Sequence, residues 1–425
     1  MRSPIPDYLR EVMTACAPDT SGAVADYIPE LARVDPELFG LSVSTVDGEV
    51  YAAGDDDVPF TIQSISKPFL HALAIAEHGL EAVLRRVDVE PSGEAFDELS
   101  LEDGSGRPLN PMINAGALVV HTMLGPPEER FDRILAGLSA FAGRPLDVDE
   151  AAYESEVGTA FRNYAIANML RSHGTIEEDP HAVVVGYTRQ CAIRVTTRDL
   201  ALMAATLANG GVHPVTEEQV VGEDVVRHVL SVMLTSGMYD AAGDWTSSVG
   251  FPAKSGVSGG IIGVLPGQLG IAAFSPRLDE HGHSVRAVDV CRQMSAELGL
   301  HMMDAPQPVR ATIRRRHTVR QEDGGRAVVY ALHGSLQFAG TERVVRHLTA
   351  AADLPPQVVL DLSHVHSVNA VARRMLLEAI RRLTLDGHEV VLVDPDDNLP
   401  DPDCGGGIRP VVVDTVETAR SVPAG

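Results

Sequence analysis

The chain has 425 residues, which is too long for one ordinary hydrophobic core and predicts two or three domains. Its composition, with 44% hydrophobic and 22% charged residues, is typical of a globular, soluble protein. A formal net charge of -25 argues against nucleic acid or an anionic membrane surface as the main partner.

Cysteine usage and the pattern of apolar residues predict a cytoplasmic protein. The four cysteines are far apart and form neither a C-x-x-C pair nor a disulfide-dense pattern: Cys16, Cys191, Cys291 and Cys404. No apolar signal core follows residues 1–7. The longest apolar run, 259–274, is interrupted by Pro266 and Gly267, which favours two strands and a turn over a membrane span.

The N-terminal part predicts a sheet flanked by helices. Residues 7–38 have a helical pattern that is interrupted at 27–29. Residues 41–46 and 50–52 predict two strands, because the Asp-Gly pair at 47–48 between them is a hairpin signal. A helix follows over 69–78, and Gly79 is expected to end it.

The stretch just before this helix places Ser64 and Lys67 three residues apart. Pro68 fits only the first turn of a helix, so Ser64 lies at or just before the helix N-terminus and Lys67 one turn further on. A serine becomes nucleophilic when a base takes its proton, and a lysine whose pKa is lowered by burial can be that base. Unpaired N–H groups at a helix start also favour an oxyanion. The spacing therefore indicates a serine acyl-enzyme, although S-x-x-K also fits a serine N-cap followed by a solvated lysine.

Two further stretches supply candidate binding groups. A polar loop over 108–117 precedes an apolar helix over 118–124, and Asn114 either caps this helix or bonds a substrate amide or carboxylate. Residues 153–170 predict one amphipathic helix on which Glu156 and Asn163 share a face two turns apart. Taken alone, Glu156 also fits a solvated surface acid.

Residues 196–300 predict three helices and a strand pair. Thr196 and Thr197 are expected to cap a helix over 198–209, and further helices are expected over 225–234 and 287–300. The K-S-G sequence at 254–256 stands at the start of a predicted strand and resembles K-T-G, the third motif of penicillin-recognising enzymes. Glycines at such a point let a backbone approach a ligand closely.

The C-terminal part differs in character. Residues 305–320 contain prolines and a basic run, and they predict a solvated linker that pairs with the acidic body: Arg310, Arg314, Arg315, Arg316 and Arg320. From 326 onward strands and helices alternate, which indicates a compact α/β domain. We expect strands over 327–332, 357–362 and 389–393 and helices over 341–351, 370–386 and 415–421.

Several stretches of residues 10–300 together resemble the serine-dependent glutaminases, a family on the β-lactamase and penicillin-recognising fold. They keep the family's order and spacing: A-D-Y-I-P-E-L at 25–31, Q-S-I-S-K at 63–67, N-P-M-I-N-A-G-A at 110–117, A-A-T-L-A-N-G-G at 204–211 and A-K-S-G-V at 253–257. The resemblance implies hydrolysis of L-glutamine to L-glutamate and ammonia. We expect no cofactor and no metal. It also implies a homodimer or homotetramer.

The resemblance implies a role for each site residue. Ser64 would be the nucleophile, Lys67 its base and Tyr239 a second proton-handling residue. The backbone N–H groups of Ser64 and Val257 would form the oxyanion hole. Substrate binding would involve Ser64, Asn114, Glu156, Asn163, Tyr187, Tyr239 and Val257. An acid suits the α-ammonium of glutamine, and neutral amide or hydroxyl donors suit its α-carboxylate.

One position departs from the family. Where glutaminases usually read Asp-Arg-Asn, this chain has Phe161, Arg162 and Asn163. The substrate-binding asparagine is kept, so we expect the difference to affect the support of the loop around the site.

Residues 325–421 resemble a STAS domain, the fold of the anti-sigma-factor antagonists. The resemblance lies in G-S-L at 334–336 after the first strand and in V-L-D-L-S at 359–363 before a helix. In the antagonists a phosphorylatable serine follows an aspartate at the helix start. Asn369 and Ala370 occupy that place here, so no phosphoswitch is expected. This module would serve regulation or assembly and could bind a protein partner.

The sequence thus predicts an α/β multidomain protein. A catalytic domain over 1–304 would have a β-lactamase-like antiparallel sheet flanked by helices plus a helical subdomain. A linker over 305–324 and a STAS-like domain over 325–421 would follow.

Two other functions fit parts of the pattern. A β-lactamase-like or penicillin-binding acyl hydrolase would share Ser64 and Lys67, but the chain has no Ser-Asp-Asn motif and no export signal. A non-catalytic glutamine sensor would keep the binding residues without turnover, against which stand the intact Ser64, Lys67 and Tyr239. The sixteen histidines are scattered without an H-E-x-x-H motif, and no P-loop is present.

Overall fold

The computed structural model describes residues 5–422 except 96, 97, 99, 103, 305–311, 323, 337 and 352. The chain divides into two compact units, Met1–Asp304 and Ala305–Gly425. Within the described ranges no helix combines the length and the apolar character that crossing a bilayer requires.

The first unit is rich in helices. Short 3-10 turns lie at Leu31–Arg33, Gln63–Ile65 and Tyr239–Ala241. The α-helices are α1 (Ile5–Cys16), α2 (Ser66–His78), α3 (Leu80–Leu84), α4 (Asn114–Thr122), α5 (Pro127–Ala142), α6 (Glu150–Thr159), α7 (Phe161–Ser172), α8 (Pro180–Cys191), α9 (Thr197–Ala208), α10 (Glu223–Ser236), α11 (Ala242–Ser248) and α12 (Val285–Leu298).

The strands of the first unit form two antiparallel sheets. The strands are β1 (Gly40–Thr45), β2 (Val50–Gly54), β3 (Phe60–Thr61), β4 (Asp147–Val148), β5 (Ile193–Val195), β6 (Ala253–Gly256), β7 (Gly260–Leu265) and β8 (Leu269–Phe274). The larger sheet has the order β2-β1-β8-β7-β6, and the smaller one has the order β3-β5-β4. The hairpins β1–β2 and β7–β8 confirm the turn signals at 47–48 and 266–267.

Helix α9 packs directly on the larger sheet. A capping box starts the helix, because the Thr196 hydroxyl accepts from the Asp199 backbone while the Asp199 carboxylate accepts from the Thr196 backbone. Gly270 on β8 permits the close approach: a Cβ there would lie 2.4 Å from the backbone N of Ala205 and 2.5 Å from the carbonyl O of Ala201. The A-A-T-L-A-N-G-G stretch is therefore a packing element.

Two helix predictions for the first unit are wrong. Of residues 7–38 only α1 is an α-helix, because Ile28 and Leu31 instead pack with Leu278 in a small separate cluster. The single helix expected over 153–170 is two helices, α6 and α7, which meet at Ala160. Ala160 has a non-helical ψ of 31° and serves both as the C-cap of α6 and as the N-cap of α7.

The second unit is an α/β domain. Its strands are β9 (Ile313–Arg320), β10 (Arg326–Leu332), β11 (Gly334–Leu336), β12 (Gln357–Asp361), β13 (Val365–Val368), β14 (Glu389–Val393) and β15 (Val411–Val413), and its helices are α13 (Phe338–Thr349), α14 (Ala370–Leu385) and α15 (Val416–Arg420). The main sheet has the order β15-β14-β12-β10-β9, with all neighbours parallel except β9. Strands β11 and β13 form a separate parallel pair.

The predicted linker contains a strand. Strand β9 runs antiparallel to β10, so Ile313–Arg320 is part of the second unit and not a tether. Its partly buried Ile313 and Val319 pack against the two cores of the unit, whereas its arginines are exposed. Charged residues are common on edge strands, where they discourage further strand pairing. Residues 305–311 of the predicted linker lie outside the described residues.

Candidate active site

Ser64 lies in the 3-10 turn Gln63–Ile65, directly before α2. The backbone N of Ser66 points back at the carbonyl oxygens of Gln63 and Ser64, which joins the turn to the helix. Gly79 follows the helix with a φ of 80°, a conformation that favours glycine and ends the helix as predicted. Ser64 is half-buried while Lys67 is only 2% exposed, so the solvated-lysine alternative is wrong.

Lys67 begins a chain of buried polar side chains. Its Nζ donates to Oδ1 of Asn114 at 2.7 Å, and Nδ2 of Asn114 donates to Oδ1 of Asn163 at 2.9 Å. Asn114 is the first residue of α4, one place after the N-cap Ile113, and its side-chain amide bonds Lys67 and Asn163. The alternative that Asn114 caps the helix is therefore wrong, and its amide is aimed at the lysine and at α7.

The loop before α4 fixes Asn114 in this position. Asn110 is fully buried, and its Oδ1 accepts from the backbone N of Met112 at 3.0 Å and of Ile113 at 3.2 Å. Gly116 lets the helix approach this loop, because a Cβ there would lie 1.9 Å from the carbonyl O of Asn110. The N-P-M-I-N-A-G-A motif thus acts through one buried asparagine and one close backbone contact.

Glu156 is buried beside the serine turn. Its Oε2 accepts from Nε2 of Gln63 at 2.9 Å, and Gln63 has a left-handed φ of 50°. Burial raises the pKa of Glu156 to about 7, and the hydrogen bond from Gln63 opposes this shift. The solvated-acid alternative is therefore wrong, and the pocket holds a buried carboxylate that accepts from a neutral amide.

A cavity of about 170 Å³ lies at this point of the first unit. Glu156 on α6 and Asn163 on α7 both line it, on either side of the break at Ala160. The lining comprises Tyr27, Ile28, Asn114, Glu156, Thr159, Ala160, Arg162 and Asn163. Tyr27, which is 51% exposed, was not predicted as a site residue although it lies in the A-D-Y-I-P-E-L stretch.

Tyr239 lies near two lysines. Nζ of Lys67 is 5.5 Å from the centroid of the Tyr239 ring, and Nζ of Lys254 is 3.9 Å from the same centroid. Burial, followed by the charge of Lys67, holds the pKa of Lys254 well below its usual value. The sequence indicates Lys254 only as part of the K-S-G motif, whereas the structure places its ammonium group beside the Tyr239 ring and near Lys67.

Tyr187 and Val257 complete the set of predicted residues. Tyr187 on α8 is buried, and its pKa is raised by burial first and then by the neighbouring Cys191, Tyr239 and Glu156. Val257 directly follows β6 and packs on the Ala25 and Ile28 cluster. A Cβ on Gly256 would lie 3.2 Å from the carbonyl O of Ile62, so this glycine lets β6 lie against the serine turn.

The departure from the family motif lies on the surface. Phe161 is 74% exposed at the start of α7, and the next residue, Arg162, forms an ion pair of 2.7 Å with Glu98. Asn163 keeps its bond to Asn114 despite this change. Among the residues that the structure describes, no group of three or more His, Cys, Asp or Glu side chains is arranged to hold a metal ion.

Comparisons with known proteins agree with this arrangement. A family model described as Glutaminase matches residues 22–303, and one described as STAS domain matches residues 318–401. A glutaminase of Corynebacterium efficiens is 46% identical over 419 residues, covering 97% of this chain and 98% of that protein.

Solved structures are also similar to this chain. The crystal structure of Mglu in its glutamate form is 44% identical with a TM-score of 0.83, and it covers 94% of this chain and 100% of that one. A probable glutaminase from Bacillus subtilis complexed with 6-diazo-5-oxo-L-norleucine is 35% identical with a TM-score of 0.66, and it covers 71% of this chain and 98% of that one.

The protein therefore consists of a hydrolase domain of mixed α/β architecture and a C-terminal STAS domain. The chain belongs to the glutaminase family. This confirms the predicted family and the predicted fold class.

Proposed function

We propose that the chain hydrolyses L-glutamine to L-glutamate and ammonia through an acyl-enzyme on Ser64. The observation that carries this proposal is the buried Lys67 one turn after Ser64, linked through Asn114 to a pocket that contains Glu156 and Asn163. A pocket with one buried carboxylate and neutral amides suits a free α-amino acid, whose ammonium needs an anion and whose carboxylate needs donors.

In the first half-reaction Lys67 takes the proton of the Ser64 hydroxyl as Oγ bonds to the side-chain carbonyl carbon of glutamine. The negative charge that develops on the carbonyl oxygen is met by the backbone N–H groups of Ser64 and Val257. The carbon–nitrogen bond then breaks, and the proton held by Lys67 leaves with ammonia. Tyr239, close to Lys67, serves as a second group in this proton transfer.

In the second half-reaction a water molecule attacks the glutamyl ester. Its proton passes to Lys67, its oxygen bonds to the acyl carbon, and the ester bond to Oγ of Ser64 breaks as the serine regains a proton. Glu156 holds the α-ammonium throughout, while Asn114, Asn163 and Tyr187 donate to the α-carboxylate. The half-buried position of Ser64 gives water access to the ester.

The deciding experiment measures ammonia release from L-glutamine by the wild-type protein and by Ser64→Ala. The expected result is turnover by wild type and none by Ser64→Ala, because the nucleophile is missing. Ser247→Ala, which removes an exposed hydroxyl on α11, is the matched control and should behave as wild type. Ammonia release by Ser64→Ala at the wild-type rate would refute the mechanism.

A covalent probe separates the mechanism from simple binding. We expect 6-diazo-5-oxo-L-norleucine to add to the wild-type protein and not to Ser64→Ala, as read by intact mass spectrometry. Glutamine binding without ammonia release would instead support a sensor, and nitrocefin turnover without glutamine turnover would support a β-lactamase-like hydrolase.

We further propose that the first domain ends near 304, that the chain forms a homodimer or homotetramer in the cytoplasm, and that the STAS domain serves regulation or assembly. The pairing of strand β9 with β10 supports a STAS domain that starts before the predicted 325. Asn369 caps α14 with its side chain and Ala370 has no hydroxyl, which supports a module without a phosphoswitch at this helix. Light scattering of the full chain and of a chain ending at Asp304 would show whether the STAS domain sets the oligomeric state.

A further inference from the structure

The turn that carries Tyr239 is strained. Tyr239 has a left-handed φ of 52° in the 3-10 turn Tyr239–Ala241, a conformation that is unfavourable for an aromatic residue. Such a residue keeps its conformation only when the contacts around it are specific enough to hold it. The surroundings of the turn should therefore contain groups that fix it.

Two histidines hold the residues on either side of Tyr239. Nε2 of His283 lies 3.2 Å from the carbonyl O of Met238, and Nδ1 of His281 lies 2.8 Å from Oδ2 of Asp240. The carbonyl oxygen can only accept, so Nε2 of His283 carries the proton and donates it. Each neighbour of Tyr239 is thus tied to one histidine of the same loop.

The loop that carries the two histidines is itself ordered by one carboxylate. Oδ1 of Asp279 accepts from the backbone N of His281 at 2.9 Å and of His283 at 2.8 Å. The backbone N of Asp279 in turn donates to the carbonyl O of His283 at 2.8 Å. The histidines therefore project from a rigid loop and can hold the turn in place.

His283 also packs on Tyr239 itself. The two rings are nearly parallel, with an interplanar angle of 12° and a centroid distance of 5.9 Å. His283 is only 2% exposed, and burial lowers its pKa to about 4, so the ring is neutral near pH 7. A neutral imidazole with its proton on Nε2 can make both contacts at once. It packs on the phenol ring of Tyr239 and donates to the carbonyl O of Met238.

We propose that His283, supported by the bond from His281 to Asp240, is a positioning residue that sets the orientation of the Tyr239 phenol toward Lys67. This inference rests on the proton-transfer role proposed for Tyr239. The N–H of His283 is engaged by the carbonyl O of Met238, so the ring is assigned a role through the turn and not as a proton donor. It acts by holding the turn in the one conformation that brings the phenol near the lysine.

The first experiment compares His283→Phe with His283→Gln in the full-length protein. Phenylalanine keeps a planar ring but removes the donor, and we expect kcat for L-glutamine to fall at least about tenfold with little change in KM. The side-chain amide of the His283→Gln variant restores an N–H donor near the position of Nε2, and we expect it to recover most of kcat. His78→Phe is the matched control, because Nε2 of His78 contacts the carbonyl O of Met123 in the same way but at the far end of α2.

A double-mutant cycle with Tyr239→Phe then tests whether His283 acts through the phenol. We expect His283→Phe to cost about tenfold in the wild-type background and little in the Tyr239→Phe background. An equal loss of kcat in both backgrounds would overturn the proposal, and so would a wild-type kcat for His283→Phe. Wild-type activity of Tyr239→Phe alone would instead refute the proton-transfer role of Tyr239, so the two failures are distinguishable.

Discussion

Replacing Glu156 by glutamine should make the first unit more stable at alkaline pH. The pKa of Glu156 is raised from 4.5 to about 7 by burial. The folded protein therefore binds this proton more tightly than the unfolded chain does, and the carboxyl group costs stability as the pH rises from about 4.5 through about 7. The side chain introduced by Glu156→Gln has the same shape as glutamate and stays neutral at every pH. Its oxygen can still accept from Nε2 of Gln63.

The magnitude follows from the two pKa values. One pKa unit corresponds to about 1.36 kcal/mol, so ionising Glu156 in the folded protein costs roughly 3 kcal/mol at pH 8 and less than about 1 kcal/mol at pH 5. The stability of Glu156→Gln relative to wild type should therefore rise by about 2.5 kcal/mol between pH 5 and pH 8. This is a large fraction of the stability of a typical domain.

Urea unfolding at both pH values measures this difference, with the fluorescence of Trp245 as the signal. Trp245 is the single tryptophan and is buried in the first unit, so it reports on the unit that contains Glu156. Glu154→Gln on the exposed face of α6 is the matched control and should change little. If the difference in the free energy of unfolding between Glu156→Gln and wild type is the same at pH 5 and pH 8, the reasoning is refuted.

Three further results are expected. KM for glutamine should rise as the pH falls below about 7, because protonated Glu156 cannot pair with the α-ammonium; a KM that stays flat from pH 8 to pH 5.5 would remove Glu156 from that role. Gly270→Ala should lower the stability of the first unit by roughly 1–3 kcal/mol, since its Cβ would meet the backbone of Ala205, whereas Gly243→Ala has open space and should not. A chain ending at Asp304 should fold and release ammonia, because the apolar clusters of the two units share no residue; an insoluble fragment would show that the units depend on each other.

Local signals account for the parts of the fold that the sequence predicted well. The Asp-Gly turn between β1 and β2, the capping box of α9 and the left-handed Gly79 after α2 all depend on neighbours within a few residues. Long-range contacts determine the parts of the fold that the sequence did not predict. Ile28 and Leu31 pack against Leu278, some 250 residues away, and this contact is what holds the segment that was predicted to be helical.

The same distinction applies to the site. Ser64 and Lys67 are three residues apart on one helix start, so spacing alone placed them correctly. Glu156 and Asn163 line one cavity, in agreement with the shared face that their spacing predicts, but the continuous 3.6-residue pattern carries no signal for the break between α6 and α7 at Ala160. The contributions of Lys254 and His283 arise from packing against Tyr239, and their places in the sequence carry no local signal for it.

Both 3-10 turns of the proposed mechanism, Gln63–Ile65 and Tyr239–Ala241, begin with a strained backbone conformation, and this gives one more prediction. Among the described residues, the non-glycine positions with positive φ are Gln63, Glu217, Tyr239, Asp397 and Asp401, and only Gln63 and Tyr239 of these are buried. Gln63→Gly would relieve a backbone cost of about 1–3 kcal/mol but would remove the donor to Glu156. We therefore expect Gln63→Gly to have a stability near that of wild type and to bind the substrate L-glutamine more weakly, which would raise KM. A fall in stability of several kcal/mol would show that the amide matters more to the fold than the strain, and an unchanged KM would show that Gln63 does not orient Glu156.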